Sequence, residues 1–392
     1  MKNVWDDAQK CCGCGACMAI CPKNAIVMRR DEEGFLYPRI DEEACIGCGL
    51  CEKRCPAVGV QTQRRGRALA AYNREEGVRE ASSSGGVFTA LAQQVLSQGG
   101  VVFGAAFDED LQLSHVGVMS EKELAHLRGS KYLQSDASEV LRSIGALARL
   151  GTQVLFVGTP CQAAGVRAVL GQEMENVLIV DIVCHGVPSP GMFESYIRML
   201  EKERGAKVLT YAFRDKRLGW KNFSVAARFA DGSEYTGTQT EDPFMRSFLN
   251  NLCLRPSCAQ CPYAGYARTG DLTLADLWGA QKHLKDWDDD KGLSLVFVNT
   301  GSGSRAMRAI EGKIKTTAVD PKKYLPFNPS IESACTPHAR RARFIAAVNR
   351  EGFSEALVDK MLAPPTFLER AVGKARRVTL RLRRMIVGKT EP

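Results

Sequence analysis

The sequence predicts two structural classes in series: a small α+β module built around metal, then a larger α/β domain whose C-terminal part is antiparallel. Three observations predict this. Nine of the fifteen cysteines fall before residue 56, in two copies of one pattern. From about residue 68 to 205, segments of helical and strand character alternate, the texture of a largely parallel sheet. From about 206 to 335 the alternation gives way to a hairpin and further strands, with another cysteine group among them.

The cysteines define the module, residues 1–60. Each copy reads C-x2-C-x2-C-x3-C-P: Cys11, Cys14, Cys17 and Cys21 before Pro22, then Cys45, Cys48, Cys51 and Cys55 before Pro56. Three closely spaced thiolates wrap one cubane in a tight loop, and the fourth of such a run ligates the neighbouring cluster. The expectation is a ferredoxin-like module with two [4Fe–4S] clusters. Cys11, Cys14, Cys17 and Cys55 would hold one, and Cys45, Cys48, Cys51 and Cys21 the other. A pair of zinc sites is the alternative, but zinc favours cysteine pairs held apart by a longer spacer. Cys12 fits neither run.

In the stretch 68–205, SSSGGVFTALAQQVLSQGG reads as a capped amphipathic helix over 87–97, with Val87, Leu91 and Val95 on one face. An apolar run VVFGAAF, a helix near 136–150, the strand TQVLFVG, a helix over 160–170 and the strand VLIVDIVC follow. Serines before the first helix suit capping, and Gly85 and Gly86 would let an anion approach the backbone. A capped helix with a flexible lead-in is the plainer reading. No Walker lysine follows and no G-x-G-x-x-G opens a βα turn, so ordinary P-loop and Rossmann sites are excluded. Two more strand ends, FVGTPCQ and IVDIVCHGVPSP, lie where open α/β sheets collect ligands. Cys161 there reads either as a thiol activated by a helix N-terminus or as a small buried side chain. His185 reads as a proton donor or as a packed histidine.

In the stretch 206–335, NFSVAARFADGSEYTGT predicts a hairpin turning at Asp231–Gly232. Cys253, Cys258 and Cys261 precede Pro262. Three thiolates at this spacing suggest another metal centre, most simply a third iron–sulfur cluster, with zinc as the competitor. Cys184 is the preferred fourth ligand, with Cys161 and Cys335 in reserve. Residues 336–392 are expected to be helical and basic. Residues 370–389 alone carry eight of the nine net positive charges, so the remainder is nearly neutral and nucleic-acid binding is not expected. The tail suits a solvated terminus, an acidic protein partner or an anionic membrane surface. The polar start of the chain, the absence of a long apolar run and so many unpaired-looking cysteines point to the cytoplasm, with membrane association through the tail as an option.

Together SSSGGVFTAL, RGSKYLQSD, FVGTPCQ, CHGVPSP, FRDKRLGW and CAQCPYAGYARTGDLTLADLWG make residues 70–300 resemble the coenzyme F-420 hydrogenase/dehydrogenase beta-subunit family. These iron–sulfur flavoproteins include the 7-hydroxymethyl chlorophyll reductases. The resemblance implies an α+β ferredoxin-like module followed by an α/β flavin-binding domain with a partly antiparallel C-terminal part. It implies a bound FAD, contacted by Ser84, Gly85, Gly86, Ser130, Lys131, Thr159 and Gln162. It also makes Cys184, Cys253, Cys258 and Cys261 the candidate ligands of the extra cluster; His185, from its place at the strand end, is the candidate catalytic group. The implied function is an oxidoreductase passing electrons between a ferredoxin or partner subunit, the clusters, FAD and a small organic substrate, a deazaflavin among the candidates. A non-catalytic electron-transfer subunit of a larger complex is the alternative.

Overall fold

The computed structural model describes residues 2–3, 9–58 and 66–364. In the module, two short helices, α1 (Ala16–Ile20) and α2 (Leu50–Lys53), occupy the same place in each cysteine repeat. Each starts from a left-handed glycine, Gly15 at φ 80° and Gly49 at φ 68°. Only glycine adopts this turn without strain, and the turn folds the cysteine run back on itself. The strands β1 (Lys2–Asn3), β2 (Ile26–Arg30) and β3 (Leu36–Ile40) form an antiparallel sheet in the order β1-β3-β2.

The domain that follows begins with β4 (Arg67–Asn73), α3 (Glu76–Glu80), α4 (Val87–Leu96), β5 (Val101–Phe107) and β6 (Leu113–Val118). Then come α5 (Glu121–Leu127), α6 (Ser138–Arg149), β7 (Val154–Gly158), α7 (Pro160–Leu170), β8 (Val177–Ile182) and α8 (Pro190–Arg204). Pro160 and Pro190 open their helices at the first turn, and Gly171 and Gly205, both left-handed, close them. The expected helices over 87–97, near 136–150 and over 160–170 correspond to α4, α6 and α7. A second small sheet comprises β9 (Val208–Asp215), β10 (Ser224–Phe229) and β11 (Glu234–Thr238). The β10–β11 hairpin turns through Asp231 and Gly232.

After α9 (Pro243–Leu249), β12 (Leu272–Asp276) returns the chain to the first sheet. It is followed by α10 (Ala280–His283), β13 (Ser294–Val298), α11 (Gly301–Ala309) and β14 (Ile314–Ala318). The large sheet has eight strands in the order β14-β4-β13-β12-β8-β7-β5-β6. It therefore draws strands from both sides of residue 205. Its central four, β12, β8, β7 and β5, run parallel, while the flanking pairs are antiparallel. Alternating residues face opposite sides, as strand geometry requires. Val102, Leu155 and Val180 meet α4 and α11 on one face. Phe103, Phe156 and Ile179 meet α6, α7 and the module's Ala16 on the other. Two last helices, α12 (Arg341–Glu351) and α13 (Glu355–Leu362), close an aromatic core over the small sheet. The basic tail, 365–392, lies outside the described residues. Among the described residues, no helix is long and apolar enough to cross a membrane.

The serine–glycine segment before α4 is pinned to β4 and β13. Gly85 donates its N–H to Ser294 Oγ (3.0 Å), and Asn73 N–H donates to Gly85 carbonyl oxygen (2.7 Å). A side chain at Gly85 would press into the Ala71 carbonyl oxygen and come within 2.9 Å of Ser294 N, backbone atoms that cannot swing aside. Gly85→Val should therefore destabilise the fold by about 1–3 kcal/mol, read as a lowered urea midpoint at unchanged slope. An unaltered midpoint would contradict this packing.

Candidate functional site

Because β5, β7, β8 and β12 are parallel, the loops leaving their C-terminal ends gather along one edge of the sheet. Two adjoining cavities open there. The first, about 200 Å³, is lined by Cys12, Cys161, Cys184, Cys258, Cys261 and Cys335 among others. Cys161 follows β7 on the first turn of α7, and Cys184 follows β8. Cys258 and Cys261 stand on and just after a 3-10 turn at Pro256–Gln260. Burial pushes the Cys184 thiol well up, and the facing Cys258, Cys161 and Cys261 push it further. Burial likewise pushes Cys258 up to about 12, with Cys161, Cys335 and Cys261 adding to it. Cys161 also acts on Cys261. All six pairs among Cys161, Cys184, Cys258 and Cys261 thus interact; Cys335 acts on Cys258 and is acted on by Cys261, and Cys12, also on this wall, is hydrogen-bonded to Cys161.

Cys253 is not part of this group. It is buried in the aromatic core, 1% exposed, with its sulfur 3.4 Å from Ser247 Oγ. The expected set of Cys184, Cys253, Cys258 and Cys261 is corrected here: the structure brings Cys161 to the other three and leaves Cys253 out. Spacing along the chain misled, because Leu252, Cys253 and Leu254 all turn into the core before Pro256 redirects the backbone. His185 also lines this first cavity rather than the second. Its Nε2 lies 2.6 Å from Asn251 Oδ1, its ring meets Phe248 edge-on, and burial lowers its pKa. It is a packed, hydrogen-bonded wall residue.

In the module, Cys21 shares a small cavity of about 30 Å³ with Cys45, Cys48 and Cys51. Cys55 in turn stands close enough to Cys14 and Cys17 to act on both thiols, and Cys11 acts on Cys17. The structure thus gathers the two crossed sets that the repeats suggested. Cys11, Cys14 and Cys17 are buried, while Cys45 and Cys48 are exposed. Among the described residues, no three His, Cys, Asp or Glu side chains meet at a point suited to one metal ion; the thiols line volumes instead.

The second cavity, about 270 Å³, lies beside the first. Ser84, Gly86, Ser130, Lys131, Thr159 and Gln162 all line it, but Gly85 does not. The serines do not cap α4. Ser82 Oγ donates to Val78 carbonyl oxygen (2.7 Å), Ser83 Oγ accepts from Ser130 N–H (2.6 Å) and Ser84 Oγ donates to Leu293 carbonyl oxygen (3.1 Å). The helix starts without a side-chain cap, leaving its first N–H groups at the cavity. Lys131 Nζ donates to the carbonyl oxygens of His126 (3.0 Å) and Arg128 (2.8 Å), and burial lowers its pKa to about 7. Arg128 Nε is buried with no hydrogen-bond partner. This wall is poor in counter-charge and offers N–H groups to an anion.

Sequence reasoning gave no role to Arg214, Trp220 or Asp276, although all lie in quoted motifs. Asp276 lines the second cavity, accepting from Arg214 Nη1 (2.9 Å) and Trp220 Nε1 (3.1 Å). Arg214 also donates to Tyr132 Oη (3.0 Å) and Ser83 carbonyl oxygen (3.0 Å), tying the small sheet to the cavity rim.

The two cavities share a wall of Leu133, Ser135, Thr159 and Gln162. Thr159 N–H donates to Gln162 Oε1 (3.0 Å), and Gln162 Nε2 donates to Ser135 Oγ (3.1 Å). Ser135 Oγ lies 2.8 Å from His115 Nδ1, and His115 Nε2 lies 3.1 Å from the Val157 carbonyl oxygen. That carbonyl fixes the proton on Nε2, so Nδ1 accepts from the serine. Burial lowers the His115 pKa to about 4, and the chain of bonds is complete with a neutral ring.

Residues 68–142 and 151–322 match the N-terminal and C-terminal parts of one family, described as "Coenzyme F420 hydrogenase/dehydrogenase, beta subunit". The chain belongs to that family. Residues 10–59 match a 4Fe-4S dicluster domain, so this beta-subunit chain carries an iron–sulfur module in front of the family's own two parts. The family is a redox component of hydrogenase and dehydrogenase assemblies, which implies electron transfer and redox partner subunits. A solved structure, the xenon-derivatised F420-reducing [NiFe] hydrogenase complex from Methanosarcina barkeri, contains a chain 17% identical to this one, with a TM-score of 0.47, covering 70% of this chain and 92% of that one. No curated protein matches.

The half-buried Lys131 makes a pH prediction. Its folded pKa is lowered, so between about pH 7 and 10 the unfolded chain binds the extra proton and stability rises with pH. Wild type should gain stability relative to Lys131→Met as pH is raised through that window, measured by urea denaturation. A constant difference would show that Lys131 is not buried as a cation.

Proposed function

We propose that this beta-subunit homologue is an iron–sulfur flavoprotein oxidoreductase. It would hold two [4Fe–4S] clusters in its module, a third on Cys161, Cys184, Cys258 and Cys261, and FAD in the second cavity. The observation that carries this reading is the shared wall: a thiol-lined cavity and an anion-seeking cavity stand side by side at one sheet edge. One zinc ion draws its ligands to a point, whereas a cubane spaces them around a volume, and thiols lining cavities fit the cubane. When bound, FAD exchanges electrons singly or in pairs, which joins one-electron clusters to a two-electron organic couple.

The residues divide the work. Cys45 and Cys48, exposed on the module, face an external electron donor such as a ferredoxin or a partner subunit. Cys11, Cys14, Cys17 and Cys55 lie inward, toward the thiol-lined cavity. The uncapped α4 N-terminus, Lys131 and Arg128 suit the flavin pyrophosphate. Gln162 and Ser135, locked by hydrogen bonds on both sides, hold the wall between cluster and flavin and keep water out of it. The organic substrate would approach the open side of the second cavity.

Anaerobically purified protein should contain about twelve irons and one FAD. Cys161→Ser should remove about four irons while leaving the module's eight, and Cys253→Ser should retain all twelve. Loss of iron from Cys253→Ser but not from Cys161→Ser would reverse the assignment. A metal count showing zinc without labile sulfide would end the cluster reading.

A further inference from the structure

The junction between the module and the thiol-lined cavity contains a cation with no ion pair among the described residues. Arg255 is 1% exposed. Its Nε donates to Cys11 carbonyl oxygen (2.9 Å), and its Nη2 donates to Leu36 carbonyl oxygen (3.1 Å) and lies 3.9 Å from Cys11 Sγ. The guanidinium sits 4.0 Å over the Tyr37 ring and 5.4 Å from that of Phe35. Nη1 is buried without a hydrogen-bond partner. The same side chain lines the first cavity and acts on Cys161 there. Among the described residues it makes no ion pair; Asp31 feels its charge only at longer range. Arg268, on the far side of the cavity, differs in having buried Asp181 as a nearby counter-charge.

An unpaired buried guanidinium is costly unless an anion compensates it. It cannot escape by losing its proton, since arginine stays protonated in proteins. The compensating anions this position offers are thiolate-ligated clusters, on Cys11 to one side and on Cys161 to the other. We propose that Arg255 is the positioning residue that sets the reduction potentials of both clusters together. This rests on the cluster assignment above. A cluster becomes more negative on reduction, so an adjacent cation favours its reduced form. One cation shared by two clusters raises both potentials together, so a change at this residue moves both at once and leaves the step between them little altered.

Redox titration of the anaerobic holoprotein, followed by electron paramagnetic resonance, tests this with Arg255→Gln and Arg255→Lys. In Arg255→Gln, the reduced-to-oxidised ratio of the clusters on Cys11 and Cys161 should fall about tenfold at fixed potential, a lowering of about 59 mV. The cluster on Cys45 serves as internal control and should not move. Arg255→Lys, which keeps the charge, should retain full iron and shift by less. Full iron with unmoved potentials in Arg255→Gln would overturn the proposal, as would an equal shift of all three clusters. Should Arg255→Gln lose iron, Arg255→Lys decides: retained iron supports a need for charge, and equal loss overturns it. Wild-type protein with only eight irons would instead sink the third-cluster reading, before any variant is compared.

Discussion

The common direction of β5, β7, β8 and β12 is the constraint on which the site depends. Parallel strands must be joined by crossovers, so β7 and β8 each end in a loop that enters a helix, while β5 and β12 turn back into antiparallel neighbours. That geometry places Thr159 and Cys161, Val183 and Cys184, and Asp276 along a single edge. β4, antiparallel to β13, shares the direction of the central four, so the serine–glycine loop that follows it joins the same edge. The small sheet and its aromatic core then act as a buttress, delivering Arg214, Cys258 and Cys261 from a separate layer.

Polar chemistry in this edge is arranged by satisfaction as much as by charge. In the His115–Ser135–Gln162–Thr159 chain both ends of the Gln162 amide are engaged, Oε1 by Thr159 and Nε2 by Ser135, so the wall between the cavities is rigid and electrically quiet. The cationic groups around it are left incomplete: Arg128 Nε, Arg255 Nη1 and Arg268 Nε have no hydrogen-bond partner. The partition is thus satisfied while the cations beside it are not.

Much of this was legible in the sequence, and the limits have physical causes. The module's crossed cysteine sets could be read because a short run forces its thiols together whatever the surrounding fold. The helix at 160–170 and the 231–232 turn could be read because Pro, Gly and Asp act locally. Cys253 was misassigned because proximity to Cys258 along the chain says nothing about which way a side chain turns once an aromatic core forms beside it. Cys161 was undervalued for the converse reason, since its partners lie 97 and 100 positions further along. The serines before α4 looked like caps, yet β13, nearly 210 residues later, claims Ser84.

The module is seated on the domain almost backbone to backbone. Gly15 lies against Ser138 and Gly34 against Gly191, so closely that a methyl group at either glycine would collide. This seating buries Cys11, Cys14 and Cys17 beneath the larger domain while Cys45 and Cys48 stay open. A solvent-borne thiol reagent therefore meets Cys45 and Cys48 directly, whereas Cys11, Cys14 and Cys17 are shielded for as long as the module stays seated.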